Sequence, residues 1–402
     1  MTRQMRETGI PWFRSIPAEW DAVALGRLTT PVKRTNISDA PLLSLYLGEG
    51  IVPYKADRIV HATSEDTSAY QLVLPGDLVL NNQQAWRGSV AISQLRGIIS
   101  PAYIVCQVSR RLERRFGRYL FASYAARFPY VISSRGVGDI QRNLSWQLLK
   151  AQEFPLPPTE EQLAIADHLD RETARIDTLI EEQKRLVELL RERREAESEA
   201  VLGAPSEARQ TTVKRALQPL SRPPVAGLGV VTAYRDGVVT LRSNRREEGY
   251  TFSNSESGYQ EIRPGDLVFH ALDGFAGAVG VSDSRGNATP VYHVCEAIAG
   301  DDLAYIAHLL RYLGRSGFLA TQAPNVRERS VDFRNWSTFG RLPLALPPVA
   351  EQQRIAAHLD EQTSKVDVLI AESEQFIELA RERRLALISA AVTGQIDVRE
   401  AA

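Results

Sequence analysis

A 39-residue stretch of this chain is written twice, at 156–194 and again at 346–384. The first copy reads LPPTEEQLAIADHLDRETARIDTLIEEQKRLVELLRERR and the second LPPVAEQQRIAAHLDEQTSKVDVLIAESEQFIELARERR. Aligned without a gap they agree at 21 of 39 positions, far more than two unrelated amphipathic helices would share. The fold must therefore be a tandem of two similar halves, each closing on the repeated segment. Whatever one half binds, the whole chain is organised to bind two related things at a set separation.

Spacing gives the repeated segment its structure. Ile176, Ile180, Val187 and Leu190 in the first copy, and Val366, Ile370 and Ile377 in the second with Leu387 just beyond it, fall on seven-residue stripes, and no proline interrupts either run. Such periodicity predicts two long helices that pair along these residues as an antiparallel coiled coil. Thr159 and Gln162 stand at capping-box spacing after Pro157-Pro158, whereas the second copy has Val349 in place of the threonine. A helix of about forty residues at 1.5 Å per residue spans roughly 60 Å, more than one turn of duplex DNA.

The regions ahead of the helices are duplicated more loosely. PGDLVLNNQQAWRGSVAISQLRGIISPAYIVC (75–106) and PGDLVFHALDGFAGAVGVSDSRGNATPVYHVC (264–295) share landmarks at Pro75/Pro264, Asp77/Asp266, Gly88/Gly277, Pro101/Pro290 and Cys106/Cys295. Short apolar runs bounded by Pro-Gly and Arg-Gly read as strands and turns. The expectation is an α+β chain of two mixed α/β domains in tandem: a globule at 1–155, a helix at 156–203, a second globule at 204–345, and a helix with its tail at 346–402. The proline-rich stretch 219–224 reads as a linker into the second globule.

Composition bounds the functional classes. With 402 residues and 44% hydrophobic content the chain can build real cores. It has no apolar run of membrane-spanning length, and MTRQMRETGI carries no signal-peptide pattern. Two cysteines at matching places in separate halves suit a reducing cytoplasm better than a disulfide framework. Net charge is −1, but it is unevenly spread: +7 over 1–155, −6 over 156–203, +2 over 204–345 and −4 over 346–402. The globules are positive and the helices negative. Arg110, Arg111, Arg114, Arg115 and Arg118 crowd one stretch that is either a phosphate-contacting surface or a solvated helix face.

Catalytic signals are weak. FAGAVG (275–280) is faintly like a glycine-rich cofactor loop, but its counterpart WRGSVA lacks the second glycine, which favours a turn between strands. LPPT and LPPV cannot supply the polar residue that adenine methyltransferases place before Pro-Pro-aromatic. Glu182 and Lys184 form an E-x-K string on a charged helix face with no assignable partner carboxylate. No nucleotide-cradling G-x-x-x-x-G-K-[ST] loop exists, and no two of the six histidines stand at metal-ligand spacing on a helix. His168 and His358, repeated within HLD, read as packing against the neighbouring globule. Trp146 and Trp336 read as binding globule to helix, and Cys106 and Cys295 as buried strand residues.

In their doubled order the motifs resemble the specificity subunits of type I restriction-modification systems. The residues that carry this are IPAEW and LGRL (16–20, 25–28), PGDLV in both globules, LPP then EQ, IA, HLD and T-x-x-x-D in both helices, and the closing VTGQIDVRE (392–400). The departure is VLGAPSEARQ after the first helix, in place of a VTG-like ending. The resemblance implies that each globule reads one half of a bipartite site in double-stranded DNA. It also implies that the helices set the spacer and dock two methyltransferase (modification) subunits, with restriction/translocase subunits completing the complex. S-adenosylmethionine, ATP and Mg would then belong to the partner subunits, with no catalytic residue, cofactor or metal in this chain. The competing classes are a stand-alone DNA methyltransferase or nuclease with its own recognition domains, and a coiled-coil interaction protein without DNA contact.

Charge and loop position nominate the reading residues. In the first globule they are Asn82, Gln83, Gln84 and Arg87, with Arg135, Gln141, Arg142 and Asn143. In the second they are His270, Asp273, Asn325, Arg327 and Arg329. Asn and Gln can pair bidentately with adenine and Arg with guanine, while other arginines hold phosphates.

Overall fold

The computed structural model describes residues 3–37, 39–55, 66–137, 141–203, 207–245, 258–323, 326–327 and 330–398. It divides into two compact units, Met1–Lys184 with Gln375–Ala402, and Arg185–Glu374. The division passes through both long helices.

Each unit is built around a four-stranded antiparallel sheet. In the first, β1 (Thr29–Pro31), β2 (Asp77–Asn81), β3 (Val90–Ile92) and β4 (Tyr103–Val108) are ordered β1-β4-β2-β3, followed in the chain by the hairpin β5 (Ser134–Val137) and β6 (Gln141–Leu144). In the second, β7 (Leu217–Leu220), β8 (Leu267–His270), β9 (Val279–Val281) and β10 (Tyr292–Ala297) repeat the order as β7-β10-β8-β9, with β11 (Val326–Arg327) and β12 (Ser330–Val331) as the hairpin. Cys106 pairs with Leu78 and Pro31, and Cys295 pairs with Leu267 and Pro219. The stretch at 219–224 is therefore not simply a linker: Pro219 lies in an edge strand, where a missing N–H costs no ladder bond. The strand entering the second globule is Arg209–Thr212, paired with Pro343–Leu346 as Asp21–Ala24 is paired with Glu153–Leu156.

The PGDLV motif has a structural explanation in both units. Gly76 and Gly265 take φ of +96° and +94°, a region where a side chain would be strained. Asp77 then accepts the Leu74 N–H at 2.9 Å and pairs with Arg34, while Asp266 accepts the Arg263 N–H at 2.7 Å and pairs with Arg222. The strands that follow are buried on both faces, which is why they read as unbroken apolar runs. Leu78 and Leu80 face the helices, while Val79 faces Leu45, Val73, Ile99 and Val105. Leu267 and Phe269 against Val268 repeat the arrangement.

Helices α1 (Arg114–Ala122) and α2 (Tyr124–Ile132) are capped by Glu113 and Ser123. The long α3 (Thr159–Leu202) follows them, then α4 (Leu303–Arg315), capped by Asp302, and the long α5 (Val349–Val392). Each long helix has 44 residues, about 66 Å at 1.5 Å per residue. The capping box expected at Thr159 does not form. Gln162 instead donates to the carbonyls of Pro157 and Arg111 and accepts the Glu113 N–H at 2.7 Å. Gln352 does the same with Pro347 and the Asp302 N–H, so the repeated glutamine ties each long helix to the start of its unit's packing helix. The end of the chain completes the first core, where Ile388, Ala391, Val392 and Val398 are buried with Trp20, Leu25 and Leu28. Leu202, at the repeat position of Val392, fills that role in the second core.

Candidate nucleic-acid interface

Two segments far apart in the sequence meet in the first unit. One is the loop after β2, a single 3-10 turn at Ala85–Arg87; the other is the β5–β6 hairpin. The Leu144 N–H donates to the Asn82 carbonyl at 2.9 Å, fastening the end of β6 to the loop. Two guanidiniums lie over the Trp86 ring, that of Arg87 at 4.7 Å and that of Arg142 at 4.9 Å from its centre. Its indole N–H donates to the Gln83 carbonyl at 3.0 Å. Gln83, Gln84, Arg87, Arg135 and Asn143 are exposed, and Arg135 stands opposite Asn143 in the hairpin register. Asn82 is half-buried, with its Oδ1 unpartnered. Gln141 pairs through its backbone with Val137, and its side chain lies outside the described ones.

Sequence reasoning brought these two segments forward but missed Trp86, the residue that joins them. The available signal was an aromatic beside an arginine in an otherwise polar loop. The arginine run at 110–118 divides differently from either expectation. Arg115 bridges Asp167 at 2.7 Å and Asp170 at 3.1 Å, and Arg118 bridges Asp170 at 2.8 Å. These two clamp α1 to α3 rather than face a nucleic acid.

The second unit assembles the corresponding pieces. The loop after β8 forms a 3-10 turn at Gly274–Ala276 beside the β11–β12 hairpin, and the Phe333 N–H donates to the Ala271 carbonyl at 2.9 Å. Ala271 and Phe333 stand where Asn82 and Leu144 stand in the first unit. FAGAVG is thus a turn leading into β9. His270 uses its Nδ1 to accept the N–H groups of Leu272 and Asp273 at 3.2 and 3.0 Å, and burial holds its pKa below the ordinary value. Asp273 pairs with Arg235 at 2.9 Å. Both side chains thus shape the loop as well as lining it. Arg327 lies in β11 with its side chain outside the described ones; Asn325 and Arg329 lie outside the described residues.

The seam residues are distributed over both units. In the first, Ile176, Ile180, Ile377 and Ala380 form one buried cluster with Leu387 against it, and Arg384 bridges Asp177 at 3.0 Å. In the second, Val187, Leu190 and Val366 are buried and Ile370 is half-buried. Arg191 meets Glu374, Arg194 meets Asp367 and Glu197 meets His358, so partner numbers fall along α5 as they rise along α3. His358 therefore bonds to the other long helix and not to the neighbouring globule, as the sequence had suggested. Arg194–Asp367 and Arg384–Asp177 are the same repeat positions used in both units.

Other chemistry is sparse. Burial, and secondarily Asp77 and Asp266, push the Cys106 and Cys295 thiols up to about 12, which keeps them protonated. Lys184 pairs with Glu181 on the helix surface. Among the described residues no three His, Cys, Asp or Glu side chains are grouped to hold a metal, and no helix is long and apolar enough to cross a membrane.

No family model and no curated protein matches the sequence. Solved structures do match. A chain in a structure addressing complex assembly and conformational transition of the type I R-M system superposes with a TM-score of 0.66 at 16% identity, covering 95% of this chain and 99% of that one. The HsdS subunit from Thermoanaerobacter tengcongensis superposes with a TM-score of 0.56 at 16% identity, covering 95% of this chain and 98% of its own. The fold of this chain is the fold of those type I R-M proteins.

Proposed function

We propose that this chain is a DNA-specificity subunit of a type I restriction-modification complex, noncatalytic in itself, with each unit reading one half of a bipartite, asymmetric site. The observation that carries the reading is the twice-built junction of a 3-10 loop and a hairpin on one scaffold, fastened by the same backbone bond and filled with different residues. Asn82, Gln83, Gln84, Arg87, Arg135, Gln141, Arg142 and Asn143 are the reading set of the first unit. His270, Asp273, Asn325, Arg327 and Arg329 are that of the second. The Trp86 ring holds two forked donors, Arg87 and Arg142, beside one another's segments, which suits guanine edges or phosphates.

The paired long helices act in this reading as an antiparallel coiled-coil spacer between the two readers. Leu179, Leu186, Leu189, Leu369, Phe376 and Leu379 are exposed on these helices, away from the seam. Exposed apolar residues in such number mark an interaction surface, and two methyltransferase subunits are the partners that fit the family resemblance. Restriction/translocase subunits would join through them. S-adenosylmethionine, ATP and Mg would be bound in those partners, in the cytoplasm.

Methylome sequencing of a host with and without the gene tests the reading. A bipartite adenine-methylation motif is expected to vanish on deletion, and its persistence would refute the assignment. Pure protein incubated with labelled S-adenosylmethionine is expected to transfer no label to DNA; transfer without a partner would identify a stand-alone methyltransferase.

A further inference from the structure

The second unit holds a cavity of about 310 Å³ among α4, the end of α3, Thr363 of α5 and the turn at Asp236. Three arginines line it, Arg194, Arg311 and Arg315. Arg311 donates to the backbone carbonyls of Asp236 at 3.2 Å and Val279 at 3.4 Å, and its Nε is buried without a partner. Arg315 donates to the carbonyl of Arg235 at 3.2 Å. Among the described residues neither has a carboxylate at ion-pair distance. Arg194 has one in Asp367, but its Nε too is buried and unpartnered. Arg311 and Arg315 thus sit in a half-enclosed space with only backbone carbonyls as hydrogen-bond acceptors, and an oxyanion would offer them charged ones.

The scaffold does not require Arg311. Arg311 is nine residues beyond the cap Asp302, and nine residues beyond the equivalent cap Glu113 the first unit has Ala122. The turn is cut to fit the guanidinium: at Gly237, with φ of +93°, a Cβ would fall 2.0 Å from the Arg311 Cζ. Burial, and then the charge of Arg315, push Arg311 down to about 10, against the pull of Asp236 and Asp360.

We propose that this cavity binds a phosphate group through Arg311, Arg315 and Arg194. Forked guanidinium donors match the tetrahedral oxygens of phosphate. The volume, at the small end of ligand pockets, admits a phosphomonoester of mononucleotide size. Of the rim carboxylates, Asp236 is occupied by Arg245 and the Val238 N–H, while Glu195 and Glu199 have no ion-pair partner among the described residues. These two oppose the phosphate and limit its affinity.

Titration calorimetry of the full chain with inorganic phosphate and with adenosine monophosphate tests the proposal. Binding is expected, weakened roughly tenfold or more in Arg311→Gln and Arg315→Gln by loss of a charged hydrogen bond, and strengthened in Glu195→Gln. If a DNA strand supplies the phosphate, a short duplex displaces inorganic phosphate, and Arg315→Gln lowers the salt slope of duplex binding by about one. If a small phosphomonoester does, the duplex leaves it bound. Should Arg311→Gln fail to fold, Arg315→Gln, with its exposed side chain, answers alone. Folded variants that change neither phosphate binding nor the duplex salt slope would overturn the site, whether or not the chain reads DNA.

Discussion

The two units grip their long helix through the same carboxylate, the last residue of HLD, with different hands. Asp170 receives the Tyr119 hydroxyl at 2.6 Å, Arg118 at 2.8 Å and Arg115 at 3.1 Å. Asp360, its repeat, receives His308 Nε2 at 2.7 Å. Tyr119 and His308 each stand six residues beyond the helix cap, so the duplication preserved the receiving position while the donors diverged. One consequence concerns charge: the first unit commits two arginines of its positive run to an anchor, and they are not available to phosphates. The second anchors with a histidine and turns its own helix arginines into a cavity.

Substitutions at matched positions break or sharpen this comparison. The largest effect is expected in the seam. Ile180 is buried in a cluster while its repeat Ile370 is half-buried, so Ile180→Ala should cost about 2–5 kcal/mol in urea unfolding and Ile370→Ala clearly less. Equal losses would mean that the seam is packed alike in both units. At the proposed readers, Trp86→Ala removes two cation–π contacts and should weaken binding to the target duplex by about 1–2 kcal/mol. Phe275→Ala, at the matching step of the second unit, should cost less, and the reverse order in a binding titration would discard the Trp86 contacts with Arg87 and Arg142 as a reading element.

The smallest effect lies at the anchors. The His308 hydrogen bond, only partly offset by burial, holds the Asp360 carboxyl below its ordinary value of 3.8. A depressed carboxyl contributes stability that is present above the unfolded value and lost as pH falls through the folded one. His308→Gln should therefore flatten the acid limb of the stability curve below about pH 4, by no more than a few tenths of a kcal/mol for so exposed a carboxylate. An acid limb unchanged in the variant would show that the bond contributes nothing.

What the sequence made legible followed from the repeat. Heptad spacing located both long helices, and apolar runs after Pro-Gly-Asp located the central strands, because periodicity and turn chemistry are local. Pro219 misled because an edge strand tolerates proline, and edge position is a tertiary fact. Gln162 looked like a cap because its spacing fits one, yet its amide is recruited by backbone groups fifty residues away. At the proposed reader, polar and basic residues picked out the loop and hairpin, but the contact of Arg142 with the Trp86 ring depends on the hairpin folding back onto the loop. The cavity around Arg311 was hidden for the same reason, since its walls come from four separate stretches of chain.

In the proposed function, two separable readers share one scaffold. Methylome sequencing after exchanging residues 1–155 for the corresponding part of a similar protein tests it most directly. One half of the methylated motif should change while the other half and the spacer stay as they were. A motif altered in both halves would contradict independent reading by the two units.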